Sequence, residues 1–127
     1  MGWEKVSTTK ERLREAMEIA GIKQIEIATA TGISRGTISK YLSGKFEPKS
    51  EHIAKLARVL NCSEMWLWGY KAPRERSEKQ RKNDRISNVI NRIRSDTEFA
   101  EMIISLDDLD DDKLASIKQL ITVFNNK

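Results

Sequence analysis

Arg35, Thr37, Ser39 and Lys40 put two cations and two hydroxyls within six residues, with no carboxylate among them. Such a set donates hydrogen bonds and attracts negative charge, but it holds no metal ligand and no proton relay. If the segment is helical, these side chains lie away from the face carrying Ile38 and Leu42. A short helix anchored by few apolar residues and carrying donors outward suits the major groove of DNA, where base edges present acceptors. Catalysis has weaker candidates. His52 is the only histidine, has no evident Cys or Ser partner, and reads as a surface side chain. Cys62, the only cysteine, reads as a small buried apolar residue. Asp110, Asp111 and Asp112 suit the positive end of a helix; a calcium loop would need alternating ligands, a central Gly and a distal Glu. No catalytic residue, no metal and no cofactor is expected.

The elements that must position the donors follow from caps and periodicity. Thr8 with Glu11 forms a capping box, Leu13, Ala16, Met17 and Ala20 recur at helical spacing, and Gly21 stops the run. Ile25, Ile27, Ala28 and Thr31 mark a second helix ending at Gly32, a residue that enters a left-handed turn without steric cost. Ser34 caps the donor-bearing helix, 34–43, and Gly44 ends it. Pro48 biases Glu47 away from helix. Ser50 is expected to cap a fourth helix with Ile53, Leu56, Ala57 and Leu60 on one face, closed by Asn61. Ser63 caps a short fifth helix holding Met65, Trp66 and Leu67, which Gly69 ends. Met1 to Ser7 is expected to be loosely held, with Trp3 alone packing.

Charge divides the chain further. Residues 1–70 carry 11 basic and 8 acidic side chains, 71–94 carry 9 and 3, and 95–127 carry 3 and 8. A basic first part and middle suit a polyanion, while the acidic end does not. A single cysteine fits a reducing cytoplasm, and no apolar run approaches the length of a membrane span. Neither secretion nor membrane insertion is expected.

Residues 9–69 resemble the lambda repressor and Cro type of helix-turn-helix domain, the XRE family. The pattern is Gln24, Ala28, Gly32, Ser34, Ile38, Ser43-Gly44, Pro48, Ile53-Ala-Lys-Leu-Ala57 and Ser63-Glu-Met-Trp-Leu67. Lys23 departs from it, since relatives place a Ser or Thr cap there; its ammonium can still face a phosphate. The resemblance implies base reading from Arg35, Gly36 and Lys40, and phosphate contacts from Gln24, Ser34, Ser39 and Ser43, with Lys45 just beyond the helix. Arg35 could give a bidentate pair to guanine, and Gly36 allows close approach or lets the Thr37 methyl meet a thymine methyl. Readout thus rests on Arg35, Thr37 and Lys40. The resemblance implies a transcription regulator, most simply a repressor of phage or mobile-element type, in the bacterial cytoplasm and on the nucleoid when bound. Many phage repressors carry a β-rich self-cleaving domain with a Ser and Lys dyad, which the helical tail does not match.

Beyond Pro73 the chain turns polar and basic. Ser77 and Gln80 could open a helix, but no apolar residue appears before Ile86, so this stretch is either disordered or a solvated helix. Its cations can touch the DNA backbone without sequence preference. Ile86, Val89, Ile90 and Ile93 then share a face. Ser95 and Glu98 are expected to cap a helix with Phe99, Met102, Ile103 and Leu106, and Asp110 begins a last one with Leu114, Ile117, Leu120, Ile121 and Phe124. Some 40 residues rarely build a core alone, so these stripes are expected to pair with a second copy, giving a homodimer or higher homo-oligomer on a palindromic double-stranded operator. Relief of repression would then need an antirepressor or another protein partner. An alternative is an antitoxin or adaptor whose tail clasps a partner protein. The expected architecture is all-α: a five-helix lambda-repressor-like DNA-binding domain over 1–70, a basic linker over 71–85 and a helical C-terminal dimerisation region over 86–127.

Overall fold

Caps and left-handed turns set the boundaries of the first helices in the computed structural model, which describes residues 4–126. Helix α1, Thr9–Ala20, starts where the Thr8 hydroxyl accepts the Glu11 N–H (3.2 Å) and ends at Gly21 (φ 66°). The Glu11 carboxylate takes the Ser7 hydroxyl (2.9 Å), so only half of the expected capping box forms. Helix α2, Gln24–Thr31, follows Lys23, whose N–H donates to Glu26 Oε1 (3.1 Å), and ends at Gly32 (φ 76°). Helix α3, Arg35–Ser43, runs from the Ser34 cap to Gly44 (φ 80°). Helix α4, Ser50–Val59, departs from expectation at its start: Lys49 occupies the cap position, no side chain closes it, and Ser50 is already helical. Asn61 (φ 54°) makes the left-handed exit, and Ser63 caps α5, Glu64–Leu67.

Helix α1 packs on α3 and α5, α2 packs on α3 and α4, and α4 packs on α5. Leu13, Ile27, Ile38, Ile53, Leu56 and Leu67 are fully buried where these helices meet, with Cys62 among them. Ile25 and Ala20, expected on the apolar faces, are exposed. A helix of two turns has room for one narrow buried stripe, and in α2 Ile27 and Thr31 fill it. Pro48 is buried in the loop that feeds α4.

Residues 4–7, expected to be loose, are pinned by backbone. The Lys71 N–H donates to Glu4 O (2.6 Å), and the N–H groups of Val6 and Ser7 both donate to Gly69 O (2.9 Å). The approach requires glycine: a Cβ on Gly69 (φ 102°) would collide with the Ser7 carbonyl. Trp3 lies outside the described residues.

The basic stretch after Gly69 is neither disordered nor wholly solvated. Ser63 holds it twice, through its hydroxyl to Pro73 O and its N–H to Arg74 O, both 2.7 Å. Ser77 and Gln80 form a complete capping box at the start of α6, Glu78–Ser95. Arg76 is buried; its guanidinium grips Asp84 with two bonds of 2.7 Å and donates to Cys62 O (3.0 Å).

The chain divides into two compact units, Met1–Asp84 and Arg85–Lys127. The second contains the rest of α6, then α7, Thr97–Asp107, and α8, Asp111–Asn125. Asp96, not Ser95, caps α7: its carboxylate accepts the Phe99 N–H (3.0 Å), while the Ser95 hydroxyl donates back to Asn91 O (3.0 Å). A carboxylate bonds an amide more strongly than a hydroxyl does, and Ser95 is still within the last turn of α6. Asp110, expected to begin the last helix, caps it, accepting the Lys113 N–H (2.9 Å) one residue before α8 starts. Among the described residues no helix is long and apolar enough to cross a membrane.

Candidate nucleic-acid interface

The turn between α2 and α3 is held from inside. Thr31 donates its hydroxyl to Ile27 O (2.7 Å) and accepts the Ile33 N–H (3.1 Å), while buried Ile33 plugs the turn into the core. With Gly32 bending the chain, α3 is fixed against α1 and α2 by Ile38, Tyr41 and Leu42, all buried. Arg35, Gly36, Ser39, Lys40 and Ser43 are exposed on α3, and Thr37 is half-buried.

Each donor has a definite state. Among the described residues the Arg35 guanidinium makes no ion pair and no hydrogen bond within the fold. The Thr37 hydroxyl meets the Ser34 hydroxyl at 2.8 Å, and Ser34 also accepts the Thr37 N–H (3.2 Å). Both hydroxyls thus serve the helix start. Ser39 donates to Gln24 Oε1 (3.2 Å), bridging α3 to the first residue of α2; the Gln24 N–H2 keeps two donors that this bond does not use. Ser43 spends its proton on Lys40 O (3.0 Å) and accepts the Lys45 N–H (3.3 Å), a helix-ending role. Lys23 and Lys45 are exposed. A Cβ built on Gly36 meets nothing within 4 Å, so no internal contact requires glycine there.

Two side-chain pairs escape sequence reading, while Cys62 is buried as expected. Tyr41 is buried on the inner side of α3 with its hydroxyl 2.5 Å from His52 Nδ1, so His52 is a half-buried partner, not a surface side chain. Burial raises the Tyr41 pKa. The Lys40 ammonium sits 5.2 Å from the centre of the Phe46 ring, and Phe46 is 51% exposed. Burial drives the Cys62 thiol up to about 11 against the pull of Arg74 and Arg76, so it stays protonated and unreactive. Only the aromatic at position 46 carried a signal, as a large apolar residue in a loop with no periodic partner.

A bend at Gly32, a cap at Ser34 and a short helix with a donor-bearing outer side form the helix-turn-helix geometry. The family model described as helix-turn-helix matches residues 13–67. These residues are a helix-turn-helix domain. Its five short helices and all-α packing agree with the lambda-repressor-like architecture expected from the sequence. The chain is 39% identical over 67 residues to the HTH-type transcriptional regulator PrtR of Pseudomonas aeruginosa, covering 52% of this chain and 26% of that protein. It is 34% identical over 62 residues to the HTH-type transcriptional regulator for conjugative element SXT of Vibrio cholerae, covering 49% and 28%. The chain therefore spans about a quarter of the length of the curated relatives it matches. A crystal structure of the P22 c2 repressor with a synthetic operator is also similar, at 27% identity and a TM-score of 0.46, covering 49% of this chain and 94% of that one.

The apolar residues expected to pair two copies lie on the helices of the second unit. Ile86, Val89, Ile90, Met102, Leu114, Leu120, Ile121 and Phe124 are exposed, whereas Ile93, Phe99, Ile103, Leu106 and Ile117 are half-buried. No residue of α6, α7 or α8 is buried.

Proposed function

We propose that this chain is a sequence-specific double-stranded DNA-binding transcription regulator, a repressor of phage or mobile-element type, that sets α3 in the major groove. One observation carries the reading: within a helix-turn-helix domain, α3 exposes Arg35, Gly36, Ser39 and Lys40 and no carboxylate, and among the described residues the Arg35 guanidinium has no partner. Arg35, in the first turn, has the bidentate fork that guanine O6 and N7 accept; Lys40 lies one turn and a half further on, and Thr37 can meet a thymine methyl. Lys23, Gln24, Ser34, Ser39, Ser43 and Lys45 surround α3 as phosphate-facing groups. Ser34, Ser39 and Ser43 contribute mainly by shaping that surface, since their hydroxyls are already bonded. The relatives named as transcriptional regulators, one of them for a conjugative element, support this reading.

The chain acts as a homodimer on a palindromic operator, joined through residues 86–124, in the cytoplasm. Three helices with no buried residue and eight exposed large apolar side chains from that set support a missing partner surface. An antirepressor or other protein partner would be the route to induction.

Selection of bound duplexes from a random pool tests the reading. A palindromic motif with half-sites one helical turn apart is expected. Arg35→Ala should cost about 1 to 3 kcal/mol and relax one base pair, whereas Gln24→Ala should weaken all sequences evenly. An unchanged motif and affinity in Arg35→Ala would show that α3 does not read DNA.

A further inference from the structure

The exposed ring of Phe46 has no part in the hydrophobic core, yet it is tied to α3 at two levels. Its N–H donates to the Lys40 carbonyl (3.3 Å), the same carbonyl that accepts the Ser43 hydroxyl (3.0 Å). Its ring lies under the Lys40 ammonium at 5.2 Å. Gly44 in the left-handed region and the Lys45 N–H bonded to Ser43 set the loop's path between the two residues. Among the described residues no carboxylate pairs with Lys40, so the ring is the group that orients its charge.

A free lysine is a poor reader, because its long stem samples many rotamers that must be frozen on a base edge. An aromatic face attracts an ammonium without satisfying its hydrogen-bond donors, so a lysine resting on a ring is partly ordered and still able to donate. We propose that Phe46 is a specificity-positioning residue: it holds Lys40 in a restricted arc so that the base pair met by Lys40 is read with less loss of side-chain freedom. The proposal rests on α3 being the groove-reading helix.

The test uses the full chain. Random-pool selection is run on the natural protein, Lys40→Ala, Arg35→Ala, Phe46→Leu and Phe46→Trp, followed by competition binding against duplexes altered at single positions. Phe46→Leu keeps apolar bulk but has no aromatic face. It should reduce discrimination about two- to five-fold at the position that Lys40→Ala also relaxes, matching the loss of one exposed cation–π contact. The Arg35 position should be unchanged, and Phe46→Trp should restore the Lys40 position. Thermal melting of Phe46→Leu should match the natural protein, as the ring is half-exposed. Undiminished discrimination in Phe46→Leu would overturn the proposal, and so would a uniform loss of affinity across all sequences. Failure of the natural protein to select any motif would instead overturn the groove-reading assignment beneath it.

Discussion

At the scale of single residues, the side chains that hold the domain differ from those that face outward, and the division follows what each can bond. Arg76 is the clearest structural cation: buried, bidentate to Asp84 and bonded to Cys62 O, with Arg58 also 3.4 Å from Asp84. Arg76→Ala would leave Asp84 without its main partner, and urea denaturation should show a loss of about 3 kcal/mol. Cys62 makes a pH prediction. Its thiol is pushed from the ordinary 9.0 to about 11 by burial, so between those values the folded chain keeps a proton that the unfolded chain releases. The unfolded state then binds fewer protons, and stability falls as pH rises from 9 towards 11. Stability is fully present below pH 9. Denaturation midpoints measured across that range should drop more steeply in the natural protein than in Cys62→Ala; equal slopes would remove the thiol as the cause.

At the scale of elements, α3 is a helix whose inner side belongs to the core and whose outer side is spare. Gly36 separates the two demands. Glycine in a helix costs about 0.5 to 1 kcal/mol relative to alanine, and nothing inside the fold repays that here, because a Cβ would meet open space. Gly36→Ala should therefore raise the melting temperature while weakening operator binding, if a base or backbone approaches the helix at this point. Stabilisation with full operator affinity would show that no close approach occurs. Helix caps in the tail follow the same local logic: Asp96 displaces Ser95 because it is the first residue past α6 and a stronger acceptor for the Phe99 amide.

At the scale of the whole molecule, the two units have opposite character. The first buries a contiguous set of side chains from all five of its short helices, and the stretch 71–84 is bonded onto it. The second holds the later part of α6 with α7 and α8, all amphipathic, and no buried side chain among its described residues. Sedimentation equilibrium of the full chain should show a dimer, and Ile90→Asp with Ile121→Asp should shift it to monomer without unfolding α1 to α5. A dimer that survives both substitutions would assign self-association elsewhere.

The sequence by itself determined most of the helices, the bend at Gly32, the cap at Ser34 and the outward donors of α3, because caps, glycines and period 3.6 act within a few residues of chain. It also located the helix-turn-helix domain, through residues set in register over sixty positions. Tertiary structure alone decided the rest. Arg76 sits among basic residues of identical type, and only the path of the chain brings it 2.7 Å from Asp84 and beneath Cys62. Tyr41 meets His52 across two helices, and Phe46 slides under Lys40 because the Gly44 turn folds the loop back. Pairings of this kind depend on how the turns between helices fold neighbouring segments onto one another, and composition and helical periodicity hold no record of that path.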